Sequence, residues 1–225
     1  MPLILNIDTA VDAASICLAK DGTVLYISKK EKQNEHSEWL HIGIKEMFQT
    51  TGLSINVLDA VAVTIGPGSY TGLRIGLATA KGICYALNKP LITVNTLLMM
   101  ANAANNEPAD LLCPLIDAKR MEVFTAIYSK ELKTIMEPKA MVLDENSFSE
   151  KLSVNKICFF GNGSKKFKEI CTNSNAIFSN IIPDASHMIR LSEKYFTENQ
   201  FADLAYTEPL YLKEFYTPPK RSSTH

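Results

Sequence analysis

The stretch Gly66-Pro67-Gly68-Ser69 has the composition of an anion-binding loop. An apolar, β-branched run (Val61, Val63, Ile65) stops at it and a helical pattern starts at Leu73, so free amides and the positive end of a helix converge there. The same residues also fit a plain strand-to-helix turn capped by Ser69 or Thr71. No Gly-Lys-Ser/Thr follows, which separates the loop from a Walker A motif. Gly161-Asn162-Gly163-Ser164 is a shorter glycine turn and reads first as a turn.

Asp8, followed by Thr9, and Asp117 each sit at the bend of a hairpin. Two such carboxylates facing a cleft could orient a metal-bound phosphate; each alone would close an Asx turn. For Asp117 the neighbouring Lys119 and Arg120 favour the turn. His36 and His41, near Glu35 and Glu38, are five residues apart. Helical zinc ligands need a spacing of three or four to face one way, so these histidines read as structural or surface residues. No G-x-S-x-G elbow occurs, and no cysteine sits in an activating motif.

Strands and helices must place these groups. Leu3 to Asp8, Ala14 to Ala19 and Val24 to Ser28 read as three strands, with Asp21-Gly22 turning the second pair. A helix over Glu38 to Thr51, capped by Ser37 and closed by Gly52, carries the core stripe Leu40, Ile44, Met47 and Phe48, with Trp39 and Gly43 on another face. In the helix after the glycine loop, Gly72, Gly76 and Ala80 recur every fourth residue and form one slim stripe. Glycine costs about 1 kcal/mol against alanine in a helix, so something must pack close to that backbone. Pro90 ends this helix; Leu91 to Thr96 gives a strand and Leu97 to about Asn105 a short helix.

The polar segment Asn102 to Asp110 is the strongest linker signal and divides the chain into 1–104 and 105–225. The second part opens with strands Leu111 to Asp117 and Met121 to Ser129, so that LIDAKRMEVFTAIY echoes LNIDTAVDAASICLA and suggests a duplicated unit. A strand Lys156 to Phe160, a helix Lys165 to Cys171 and a helix Ala185 to about Asn199 follow, then a final segment able to return to the first half and a flexible tail from Thr217.

With 225 residues, 46% hydrophobic and 21% charged, the composition is that of a soluble globular protein with a sizeable core. A net charge of −1 supplies no bulk field for nucleic acid. Five scattered cysteines fit a reducing cytoplasm, and neither a secretion signal nor a membrane-length apolar run is present.

The strings ILNIDTA, NEHSEWL, IGPGSYTGLRIGLATAKG, IDAKRMEVF and EPLYLK together resemble the TsaB (YeaZ) family over nearly the whole chain. GPGSYTGLRIG is the specific one. The resemblance implies an α/β ASKHA fold, the actin and hexokinase-like duplication of a mixed sheet in two small lobes. It implies a non-catalytic partner of TsaD, which transfers threonylcarbamoyl to adenosine in tRNAs reading codons that begin with A. The small ATPase TsaE and TsaC, which makes threonylcarbamoyl-AMP, act in the same pathway, and tRNA is reached through the complex. TsaD-like proteins hold a metal through an H-x-x-x-H pair; this sequence has none. Many relatives end in PxYLR, whereas this chain has Lys213.

The resemblance places the dimerising surface on helices of the first half. Trp39, Gly43, Gly72, Gly76 and Ala80 are the expected interface with TsaD, or with a second copy in its absence; close packing of the glycines on their own sheet is the competing reading. Asp8 and Thr9 remain from a nucleotide cleft, with no cofactor required and at most weak ATP or ADP with magnesium in the assembled complex. A small-molecule kinase of the same fold and, behind it, a metallopeptidase are the alternatives.

Overall fold

The computed structural model describes residues 2–30 and 36–213. Leu3–Asp8 (β1), Ala14–Lys20 (β2) and Thr23–Lys30 (β3) form an antiparallel meander whose second turn uses Asp21 and Gly22 at positive φ. Helix His36–Thr51 (α1) packs on it with Leu40, Ile44, Met47 and Phe48 buried, and Gly52 at φ +67° ends it. Glu35 and the tail from Thr217 lie outside the described residues, as do the side chains of His36 and Ser37.

Ala60–Gly66 (β4) runs parallel to β1 with Leu5 opposite Val61, and feeds helix Tyr70–Leu87 (α2). This helix starts three residues before Leu73, because the Ser69 hydroxyl accepts the Gly72 amide at 3.3 Å and caps it earlier. Asn88 in the left-handed conformation ends it ahead of Pro90. Leu91–Asn95 (β5) and Thr96–Ala103 (α3), capped by Asn95, complete the first half.

The second half repeats the plan. Leu111–Asp117 (β6), Glu122–Ser129 (β7) and Thr134–Val142 (β8) form the meander, Ser149–Leu152 (α4) follows, and Ile157–Phe160 (β9), Ser164–Ile170 (α5) and Ala176–Phe178 (β10) supply the parallel strands. The strand orders β3-β2-β1-β4-β5 and β8-β7-β6-β9-β10 are the same, which is the duplication the hairpin echo suggests. Strand β8 is not foreseen from the sequence, because Pro138 interrupts it. As an edge strand with a register shift at that point it tolerates the missing donor.

The expected helix from Ala185 is a 3-10 turn, Ala185–Met188, followed by the shorter helix Ile189–Thr197 (α6). Helices α3 and α6 lie between the sheets in a shared core with Ile92, Val94, Leu112 and Phe160. Outside, α1 and α2 cover the first sheet around Leu5, Ile16 and Val63, and α4 and α5 cover the second around Phe148, Phe159 and Phe167. After α6 the chain returns to the first half: Ala202 bridges Leu91, Lys81 donates to the Ala205 carbonyl, and the Leu210 amide donates to the Ile65 carbonyl at 2.7 Å.

Candidate functional site: a sealed strand end and two surface clefts

Asp8 ends β1 and is fully buried. One carboxylate oxygen accepts the Thr64 hydroxyl at 2.7 Å and the Ala10 amide at 3.1 Å, which closes an Asx turn; the other has no partner in the described structure. Burial pushes its pKa up to about 6 against the pull of those two hydrogen bonds, and the nearby Asp184 charge adds to the rise. Thr9 is equally buried and donates its hydroxyl to the Gly72 carbonyl at 2.8 Å.

The small residues of α2 create this seal. A Cβ at Gly72 would collide with the Thr9 carbonyl, and one at Gly76 with the Thr9 hydroxyl. Gly68 is pressed in the same way against the Ala10 carbonyl, which accepts the Ser69 amide at 2.6 Å. The loop Gly66–Ser69 therefore spends an amide on its own chain. Asp8 and Thr9, the residues expected to line a nucleotide cleft, are both fully buried in this structure, Thr9 against Gly72 and Gly76 of α2.

Most residues of the expected interface are buried within this chain. Gly72, Gly76 and Ala80 face inward, the first two against Thr9 and the third inside the core under α2. Gly43 is also buried, its Cβ position 3.2 Å from Ile16 Cδ1 and beside the Trp39 ring. Only Trp39 of the five keeps a partly exposed side chain. The stripe that slims α2 thus serves its own sheet, as the competing reading held.

The outward face of α2 is slim as well, a feature missed in the sequence because attention falls on the glycine-rich repeat. Ala78, Gly82 and Ala86 are exposed there, nothing lies within 4 Å of a Cβ built on Gly82, and Tyr85 beside them is 82% exposed. Ile42 is exposed on α1, and between the two helices runs a groove of about 510 Å³ walled by Ile44, Phe48, Leu53, Ile55 and Ile83 with Lys45 at its edge.

A polar pocket of about 370 Å³ between the lobes contains Ser69, Tyr70, Thr71, Asp117, Lys119 and Asn162. Asp117 accepts the Lys119 amide at 2.6 Å, the Asx turn expected of it, and the Lys166 ammonium at 2.7 Å. Partial burial works to raise its pKa, but those hydrogen bonds outweigh it and hold the carboxyl below the usual range. Asn162 accepts the Asp117 amide and donates to Asp12 across the lobes, each at 2.8 Å, so the second glycine turn is a stitch. Neither Asp12 nor the C-terminal Tyr211, which contacts Arg74 and Tyr70, carries a motif that would single it out in the sequence.

Among the described residues no three His, Cys, Asp or Glu side chains converge as a metal site would need. Burial pushes the thiols of Cys17, Cys113 and Cys158 up to about 12 and Cys84 to about 11, the opposite of an activated nucleophile. No helix among the described residues is long and apolar enough to cross a membrane.

Comparison with known proteins decides the family. A family model described as "TsaD: tRNA N6-adenosine threonylcarbamoyltransferase" matches residues 27–214. The tRNA threonylcarbamoyladenosine biosynthesis protein TsaB of Buchnera aphidicola subsp. Baizongia pistaciae is 31% identical over 94% of this chain and 98% of its own. The chain belongs to the TsaB family. Its counterpart in Escherichia coli K12 is 29% identical over 93% of this chain and 94% of its own. Among solved structures, "YeaZ from Pseudomonas aeruginosa" superposes with a TM-score of 0.80 at 22% identity, covering 94% of this chain and all of that one. An activator of 2-hydroxyisocaproyl-CoA dehydratase from Clostridium difficile, solved with bound ADPNP, shares the fold at a TM-score of 0.50 and 8% identity, covering 89% of this chain and 98% of that one. The two mixed sheets with their helices are thus an ASKHA-type duplication, and TsaB membership places the chain in tRNA threonylcarbamoyladenosine biosynthesis.

Proposed function

We propose that this TsaB-family chain is the non-catalytic partner that a TsaD-type transferase needs to form threonylcarbamoyladenosine beside the anticodon. The observation that carries this reading is the two-sided slimness of α2. Its inner stripe packs on Thr9, next to the buried Asp8, and its outer strip of Ala78, Gly82 and Ala86 lies open beside an apolar groove. A helix from another molecule can approach such a strip closely and bury the groove walls, gaining dispersion contacts along its length. The paralogous transferase is the proposed occupant, and a second copy of this chain takes its place when the transferase is absent.

In this account the chain itself requires no cofactor. ATP or ADP with magnesium belongs to the assembled complex with TsaE, TsaC supplies the activated group, and the setting is the cytoplasm. The kinase alternative needs an open phosphate site, and the covered Asp8 offers no support for it. The test is size-exclusion chromatography with light scattering of the chain mixed with a TsaD-type protein. Wild type should elute as a heterodimer and Gly82→Arg as separate components, with an unchanged melting temperature because the site opens to solvent. A heterodimer that survives Gly82→Arg would place the contact elsewhere.

A further inference from the structure

Resting on that reading, but going past the indirect tRNA contact it assumes, we propose that Tyr70, Arg74 and Tyr211 form a stacking platform through which this chain touches RNA directly. The final described segment sets the platform. The hydrogen bond from the Leu210 amide to Ile65 fixes the backbone beside Gly66 and brings Tyr211 over the first turn of α2. Its ring centroid lies 5.1 Å from that of Tyr70 at 31°, and its hydroxyl accepts from Arg74 Nε at 3.0 Å. The Arg74 guanidinium lies 4.0 Å from the Tyr70 ring centroid. Both rings remain open to solvent, Tyr70 at 37% and Tyr211 at 40% exposure. Two rings and a planar cation are thus assembled at the surface instead of in a core, where their apolar area would contribute more to stability.

The surroundings select the partner. Tyr70 also lines the polar interlobe pocket, where Thr71, Lys119 and Asn162 offer hydroxyl, ammonium and amide groups. Of the acids on this rim, Asp117 is paired with Lys166 and Glu122 with Lys213, while Asp12 accepts the neutral Asn162 amide and keeps its charge. Glu208 lies beyond ion-pair distance of Arg74, and Arg74, Lys119 and Arg120 make no ion pair among the described residues. These three cations stand against the charges of Asp12 and Glu208, a small positive excess although the chain carries −1 overall. Exposed aromatic faces, a guanidinium that stacks as well as attracts phosphate, and adjacent cations are the set that holds unpaired bases of RNA. The groove between α1 and α2, walled mainly by aliphatic side chains, lacks the paired rings and the guanidinium, which separates the RNA surface from the protein surface.

The test uses the complex of this chain with a TsaD-type transferase. Fluorescence anisotropy reads its affinity for an unmodified tRNA transcript at fixed salt, and size-exclusion chromatography reads assembly separately. Tyr211→Ala and Arg74→Ala should each weaken tRNA binding by roughly five- to tenfold with assembly intact, since one stacked base carries an effect of that order. Tyr211→Phe keeps the ring and should stay within about twofold. Unchanged affinity in both alanine variants overturns the platform. Loss of assembly in them also overturns it, because the rings would then belong to a protein interface. Failure of the wild-type chain to bind the transferase would instead defeat the partner reading. In that case ultraviolet cross-linking of the chain alone to the same transcript decides: cross-links on peptides holding Tyr70 or Tyr211 support the platform, and their absence overturns it.

Discussion

Asp8 shows what a single residue discloses in the sequence and what it conceals. That it ends a strand at a bend is legible from LNIDTA, and so is the Asx turn; that Thr64 holds it in a buried place is not, because that partner is more than fifty residues away. The burial has a measurable consequence. A carboxyl raised from 3.8 to about 6 on folding holds its proton longer in the native state than in the unfolded chain. Native protein then binds more protons between those values, so this group's contribution to stability falls as pH rises from about 4 to 6 and is constant above. A shift of that size amounts to at most about 3 kcal/mol. The melting temperature of wild type minus that of Asp8→Asn should therefore decline across this range, as read by calorimetry at a series of pH values. A flat difference would mean the carboxyl is not sealed. Asp184, whose paired carboxyl is held low against its own burial, acts with the opposite sign and only below about pH 4, as the unfolded carboxyl protonates, so it leaves that window clear.

Helix α2 carries the lesson about periodicity. The recurrence of Gly72, Gly76 and Ala80 correctly signals a close approach, but a stripe alone does not say what approaches. The answer, Thr9 at the end of β1, depends on a parallel strand pairing between residues nearly sixty apart. The outer strip was hidden for another reason: alanine at 78 and 86 is ordinary helix composition, and only burial distinguishes it from core. The two faces predict different failures. Gly76→Ala forces a methyl into the Thr9 hydroxyl and should destabilise the fold by about 2–3 kcal/mol, lowering the melting temperature on the order of 5–10 °C with binding to the transferase lost only as the chain unfolds. A melting temperature unchanged by Gly76→Ala would show that β1 and α2 are not in contact there. Edge strand β8 and the short β10 escaped sequence reading because proline and brevity weaken the alternation that identifies strands.

For the molecule as a whole, duplication was the legible part. Two openings of strand, Ile-Asp, bend and returning strand announce two copies of one unit, and the matching strand orders are their outcome. What the sequence leaves open is which inherited parts still work. The interlobe clefts persist as pockets, yet the first lobe's acid is sealed and the second lobe's is tied to Lys166 and to its own turn. The fold thus keeps two matching lobes with Asp8 buried in the first, and the outer α2 surface is the one we propose for a sister molecule. The most direct measurement is threonylcarbamoyladenosine formed on an unmodified tRNA by a TsaD-type transferase supplied with threonylcarbamoyl-AMP, with and without this chain. The account predicts no product from this chain alone, product from the pair, and loss of product with Gly82→Arg; product from this chain by itself, or full activity of the transferase without it, would contradict it.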